Sequence, residues 1–280
     1  MKAAILVIGN LGQSGEISLR SLIELEPKRV CVVANNSGRD WLNNLDWLYQ
    51  SVMCFHEIEQ NSINRIDRIF SLNDYSEYRT LNFDLLTILK WHLLLDIFAK
   101  HRDTHRVLYS DLDVYWNSKP SKNLVLDQSD NVWIQYTPNS LRWNWYCTGI
   151  MSWSNTTNNK LALKKLIQAQ DYSFKSETPR NDEVTFNHYK DKLPINIKKL
   201  STKKYLVGRE FNKVFFAYSL YFPNLICFHA NYFTGEHLKA KILKILKIRL
   251  STKVIWIKYI PLVIIFNLSD MYRRLRRKIR

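Results

Sequence analysis

The sequence predicts an α/β fold, with a mostly parallel central sheet flanked by helices and a basic, amphipathic helical tail at the C-terminal end. Three observations carry this prediction. Short β-branched apolar runs alternate with segments of helical period through the N-terminal part of the chain, the pattern of a parallel sheet covered on both faces. Only 7 Gly and 7 Pro occur in 280 residues, too few for long linkers between separate units. An apolar fraction of 46% against a charged fraction of 24% describes a globular chain that buries a core.

The elements follow in order. Residues 3–8, Ala-Ala-Ile-Leu-Val-Ile, form a buried strand ending at Gly9 and Asn10. This run lacks a small-residue cleavage site and reads as a strand rather than a signal peptide. SGEISLRSLIEL repeats apolar residues at helical spacing, with Ser14 as its N-cap. RVCVVANN is the second strand, RDWLNNLDWLYQ a second helical segment and SVMCFHEI a third strand. A long helix over about 78–100 feeds a strand at 106–110. Strands in NVWIQY and CTGIMSW, a helix from about 158, a short helix in NDEVTFNHY and the strand LICFH complete the body.

Composition changes near residue 236. Residues 237–280 hold 13 of the 41 Lys and Arg but only Asp270 of the 25 acids; the preceding body carries 28 basic and 24 acidic residues. The net charge of +16 is therefore mostly the tail's, and a nearly balanced body argues against a nucleic-acid partner. HLKAKILKILKIRL sets Ile242, Ile245, Leu246 and Leu250 against Lys241, Lys244 and Lys247. VIWIKYIPLVIIFNL holds Lys258 and Pro261 within 15 residues, too short to span a bilayer. YRRLRRKIR closes with six basic residues in nine. Such a tail fits an anchor on an anionic membrane surface, a helix packed on the body, or an RNA-binding arm that its apolar content disfavours. Cys31, Cys54, Cys147 and Cys227 are scattered, match no zinc pattern and fit a reducing, cytoplasmic setting.

HRVLYSDLDVYW, residues 105–116, carries the chemistry. In an extended segment Asp111 and Asp113 point to one face at a strand's C-terminal end, while Leu112 points back into the protein. Two carboxylates so close need positive charge between them. Hard oxygen donors suit Mg²⁺ or Mn²⁺, with water and substrate phosphate oxygens completing the shell. A solvated turn with two surface acids is the plainer reading; the apolar lead-in and aromatic exit argue for a strand end set in a core. Haloacid-dehalogenase-type phosphatases share the local pattern, and DLDV matches it. Their motif follows the first strand and requires a later acidic pair, whereas this one follows 110 residues and no Asp-Asp or Gly-Asp-x-x-x-Asp comes after it. A non-catalytic membrane-binding module is the rival from another class.

Four segments, in order, resemble the nucleotide-diphospho-sugar transferase family of metal-dependent, GT-A-fold glycosyltransferases: LLTILKWHLLLDIF, VLYSDLDVYW, WYCTGIMSW with RNDEVTFN, and CFHANYFTGEHLK. The resemblance covers roughly residues 75–240. It implies one GT-A domain over 1–236, with a nucleotide-binding half at about 1–116 and a sugar and acceptor half at about 117–236, followed by the tail at 237–280. Asp111, Asp113 and His229 would hold Mn²⁺ or Mg²⁺, although an isolated His is more often a satisfied core residue. Lys239 and Lys90 would meet the donor's diphosphate, Lys90 from an apolar helix where a lysine needs a partner; Arg79 is a second basic residue for that task. Gly9, Asn10 and Asn35 lie at strand ends near the nucleoside. Ser110, Leu112, Thr148, Gly149 and Gly235 would line the donor site, with Cys147 standing where relatives carry Asn. Asp182 would hold sugar hydroxyls. Glu183, where relatives often carry Gln, would lie beside the anomeric carbon. The family relation implies retention of configuration. Trp133, Tyr136, Trp143, Trp145, Tyr146 and Trp153 offer ring faces to an acceptor glycan or lipid-linked acceptor. Together with the tail, this implies a peripheral enzyme of surface-polysaccharide biosynthesis.

Overall fold

A computed structural model describes residues 2–7, 12–25, 30–34, 36–45, 55–56, 87–120, 124, 127, 129–137, 145–175, 180–208 and 225–231. Strand β1 (Lys2–Val7) lies inside the main sheet, with β2 (Val30–Ala34) parallel on one side and β3 (Phe55–His56) parallel beyond it. On the other side β4 (Arg106–Ser110) is also parallel to β1. The sheet continues through the antiparallel β7 (Trp145–Ser154) and β6 (Asn131–Thr137), and β8 (Asn196–Lys199) closes it parallel to β6. The order is β3-β2-β1-β4-β7-β6-β8, so the mostly parallel sheet read from the sequence is present. A second sheet was not expected. In it β10 (Cys227–His229) lies between β5 (Val114–Trp116) and β9 (Tyr205–Val207).

Side-chain alternation distributes the core over both faces of the main sheet. On β4, Val107 and Tyr109 join Trp91, Phe98, Trp153 and Phe186 in one cluster. Leu108 points the other way, to Leu19, Leu22, Trp41 and Trp116. The first cluster packs under α3 (Leu89–Lys100), α4 (Thr157–Lys175) and α5 (Asp182–Tyr189), and the second under α1 (Gly12–Leu25) and α2 (Asn36–Asn43). The expected Ser14 N-cap is not found. α1 opens earlier, at Gly12, whose φ of 56° is left-handed backbone that favours glycine, and Ser14 is buried in its first turn. Of the long helix expected over about 78–100, residues 78–86 lie outside the described residues. The tail at 237–280, and with it the boundary at 236, lies outside them too.

Arg106 ties β4 to the chain before β6. Its guanidinium is fully buried and donates to the carbonyls of Asp127, Ser129, Asn131 and Ser152, with the Asp127 carboxylate 3.6 Å away. Burial alone would raise the Asp127 carboxyl, but bonds from Ser129 and Trp133 and the Arg106 charge hold it well below the usual carboxylate range.

Candidate active site

The chain lays down β1, β2 and β3 outward in one direction, then returns to place β4 on the opposite side of β1. That reversal is the topological switch point where open α/β sheets bind ligands, beyond the strands' C-terminal ends. Asp111, Leu112 and Asp113 follow β4 at that edge. They do not continue the strand, as the sequence reading supposed. They form a turn, and the chain passes through it from the main sheet into β5 of the small one. Leu112 still points inward, into the cluster with Leu108, Val114 and Ile150.

Both acids nonetheless converge, because each end of the turn is pinned from a different sheet. The Asp111 amide donates to the Gly149 carbonyl at 2.8 Å, and the Ala230 amide donates to the Asp113 carbonyl at 2.8 Å. The second bond lies beside β10, which pairs His229 with Val114. His229 Nε2 stands 2.9 Å from Asp113 Oδ1 and 3.8 Å from Asp111 Oδ2. One ligand atom from each residue lies within 4.8 Å of the others. Two carboxylates and an imidazole are a donor set for Mn²⁺ or Mg²⁺. Gly149 makes the room: a Cβ there would lie 2.0 Å from His229 Cε1 and 2.7 Å from Asp111 Oδ2.

Behind the triad lies a buried ion pair. Lys90, 4% exposed, emerges from apolar α3 and finds the partner it needs. Its Nζ is 2.5 Å from Asp182 Oδ2, 3.5 Å from Asp111 Oδ1 and 3.4 Å from the Thr148 carbonyl, with the Tyr109 ring beneath it at 4.9 Å. Burial by itself would lower the Lys90 pKa, but Asp111 and Asp182 outweigh it and keep the ammonium charged. Removing one side of such a pair costs about 3–5 kcal/mol, so the cluster holds together as a unit. Tyr109, two residues before Asp111 on the same face, donates its hydroxyl to Asp111 Oδ1 at 2.6 Å. Burial pushes its phenol well above the usual range, so it stays a donor.

Asp182 and Glu183 occupy the first turn of α5, whose N-cap Asn181 accepts the Val184 amide and whose positive end suits acids. The Thr148 hydroxyl donates to Asp182 Oδ2, and the Asp182 amide donates to Thr87 Oγ1 at 3.0 Å. Glu183 accepts the indole N–H of Trp145. Burial pushes the Glu183 carboxyl above its ordinary value; Asp182 adds to this, and the Trp145 bond opposes it.

An irregularity in β7 brings these groups together. Ile134 faces Met151 on β7, but the next residue, Gln135, faces Cys147, leaving Thr148, Gly149 and Ile150 without β6 partners. Bulges of this kind re-aim side chains beside active sites. The Thr148 and Gly149 carbonyls are thereby turned to Lys90 and Asp111, and Gln135 and Cys147 come together beneath His229. Cys147 Sγ lies 3.5 Å from His229 Nδ1 and accepts from Asn231 Nδ2 at 3.2 Å.

Asp111, Asp113, His229, Lys90, Thr148, Gly149, Asp182 and Glu183 thus meet around one edge. Ser110 is buried; its hydroxyl accepts from Trp116 Nε1 and donates to the Asp111 carbonyl. Gly9, Asn10, Asn35, Arg79, Trp143, Gly235 and Lys239 lie outside the described residues. Of the aromatic residues named for an acceptor, Trp153 is wholly buried in the core and offers no face. Tyr109 and Gln135 were missed as site residues, and Trp145, named only as a ring face for an acceptor, donates its indole N–H to Glu183. Period-two alternation from Asp111 could have indicated Tyr109, but no sequence signal marks the bulge that places Gln135.

A family model described as nucleotide-diphospho-sugar transferase matches residues 51–243. Curated proteins offer no relative that matches the sequence. Among solved structures, a glycosyltransferase involved in the glycosylation of the major capsid of PBCV-1 is similar over 88% of this chain and 100% of its own, at 13% identity and a TM-score of 0.51. Apo mouse xyloside xylosyltransferase 1 is similar over 82% and 97%, at 13% identity and a TM-score of 0.51. The galactosyltransferase LgtC, solved with donor and acceptor sugar analogs, is similar over 92% and 99%, at 9% identity and a TM-score of 0.54. At these identities the likeness is one of fold.

Gly149→Ala tests the crowding around His229. Its Cβ would drive the imidazole out of line. Mn²⁺ affinity measured by calorimetry should fall about tenfold or more with the far-ultraviolet circular dichroism retained. Unchanged affinity would show that His229 is not held where a cation needs it.

Proposed function

Because the chain belongs to the nucleotide-diphospho-sugar transferase family and is a glycosyltransferase, we propose that it moves a sugar from a nucleotide-diphosphate-sugar donor to a glycan or lipid-linked acceptor, with Mn²⁺ or Mg²⁺ held by Asp111, Asp113 and His229. The observation that carries this reading is the convergence of those three side chains at the switch point, with Gly149 leaving them room. The phosphatase and the non-catalytic module, which the acidic pair and tail alone allowed, are set aside by the family.

A divalent cation in this site would bind the donor's diphosphate and offset the negative charge that grows on it as the bond to the sugar breaks. Lys90 keeps Asp111 and Asp182 in place and lowers the cost of gathering their charges. Asp182 Oδ2 is taken by Lys90 and Thr148; we assign its other oxygen to the sugar's hydroxyls. Glu183 is oriented by Trp145, and its ionised carboxylate would meet the positive charge that develops at the anomeric carbon. The family relation supports retention, either through a covalent glycosyl-enzyme or by attack on the same face through an ion pair, and Glu183 serves either route.

The basic, apolar tail supports an acceptor presented at an anionic membrane surface on the cytoplasmic side, consistent with surface-polysaccharide synthesis. Flotation of the full chain with anionic and with neutral vesicles checks this. It should rise with the anionic vesicles only, and recovery at the bottom of both gradients would sink the membrane assignment.

A thermal-shift panel of nucleotide sugars tests the reaction class. One donor should raise the melting temperature by about 5 °C or more when Mn²⁺ is present, and by little without it. Asp113→Asn should abolish the Mn²⁺-dependent part; a shift indifferent to metal and to Asp113 would overturn the metal assignment.

Turnover tests Glu183. Glu183→Ala should lower kcat by about a hundredfold or more with donor and metal saturating. Because the native carboxyl is raised, its ionised form is lost as pH falls at a higher pH than for an ordinary glutamate. The acid limb of kcat should therefore lie above the ordinary Glu value of 4.5. Near-native turnover by the alanine variant would rule out the role.

A further inference from the structure

Beneath His229 lies a buried amide that the reaction described above does not use. Gln135 is wholly buried on β6, and its Oε1 lies 2.9 Å from His229 Nδ1. Its own orientation is fixed from the far side, where Nε2 lies 3.1 Å from the Leu206 carbonyl and 3.4 Å from that of Tyr205 on β9. Two carbonyls can only accept, so the nitrogen of the amide must face them and its oxygen must face the histidine. An oxygen at that position accepts; Nδ1 must therefore carry a proton, which leaves Nε2, the nitrogen facing Asp111 and Asp113, to supply the lone pair.

We infer that Gln135 is a positioning residue for the metal site, relaying the backbone of β9 into the tautomer and ring orientation of His229. The inference rests on the metal assignment made above. Cys147, the other group near Nδ1, is a poor substitute. Its sulfur is farther away, at 3.5 Å, is a weak acceptor and already receives the Asn231 amide. The arrangement also accounts for an uncharged polar residue in a strand core whose neighbours are apolar. A carboxylate at 135 would set its negative charge against the Tyr205 and Leu206 carbonyls, and an aliphatic side chain would leave the imidazole N–H unpaired. The β7 bulge contributes by pairing Gln135 with Cys147, which points both side chains at His229. Histidine ligands of metals almost always donate their second N–H to such a partner, and loss of that partner typically costs 10–100-fold in metal affinity.

Two measurements on the full chain test this. The first is the ¹⁵N spectrum of the His229 ring with diamagnetic Mg²⁺ bound: a slowly exchanging proton on Nδ1 is expected, and a proton on Nε2 instead would overturn the inference. The second is Mn²⁺ affinity by calorimetry for Gln135→Leu, which should be weakened roughly 10–100-fold, whereas affinity within about twofold of the native chain would overturn it. If Gln135→Leu does not fold, the native ring spectrum decides alone. A native chain that binds neither ion sinks the metal site itself, and this inference with it; native binding left untouched by Gln135→Leu sinks only the role of Gln135.

Discussion

Everything at the sheet's edge depends on one buried ammonium. Lys90 is held by two carboxylates from distant parts of the chain, Asp111 after β4 and Asp182 at the start of α5. An unpaired lysine in that helix would face a desolvation penalty of several kcal/mol, and the buried Asp182 without it would face a similar one. Together, with the Tyr109 hydroxyl and the Thr148 carbonyl and hydroxyl, they form a network in which nearly every polar atom has a partner. That network joins α3, β4, β7 and α5. It therefore sets where the acidic turn lies relative to the helix that bears Glu183.

The site is also a junction between two sheets. Asp111 directly follows a main-sheet strand, Asp113 directly precedes β5, and His229 ends β10, so the three side chains report the relative placement of both layers. Gly149 is the contact point. Main-chain bonds on either side of the turn hold it, and only hydrogen fits where β7 passes beneath the imidazole. Close packing here is a functional tolerance, since a methyl group would occupy the space of a ring atom.

Much of this was legible in the sequence, for definite reasons. The parallel strands β1, β2 and β4 are continuous, largely apolar runs, and such runs announce themselves. The Asp-Leu-Asp spacing located the acids, and Lys90 was conspicuous as a charge on an apolar helix face. The local conformation was read wrongly: an extended pair was expected, and a turn gives the same convergence by a different route. The small sheet went unseen because β5 and β9 have three residues each. β8, at the edge of the main sheet, was missed because Lys198 and Lys199 give it the character of a solvated, charge-protected border. Gln135 was invisible for another reason. Its role depends on a register shift in β7 that no hydrophobic pattern encodes.

The separations along the chain have a consequence for assembly. Lys90 and Asp111 are 21 residues apart, whereas His229 meets Gln135 across 94. Closing a loop costs more entropy as it lengthens, so the lysine and first aspartate are the cheaper contact to form, and the imidazole comes from far downstream. The ammonium thus acts as an internal counter-ion that quiets Asp111 before the histidine arrives. A nascent chain that has made only its first half would carry Asp111 already paired, and it would acquire the complete donor set only when the small sheet closes.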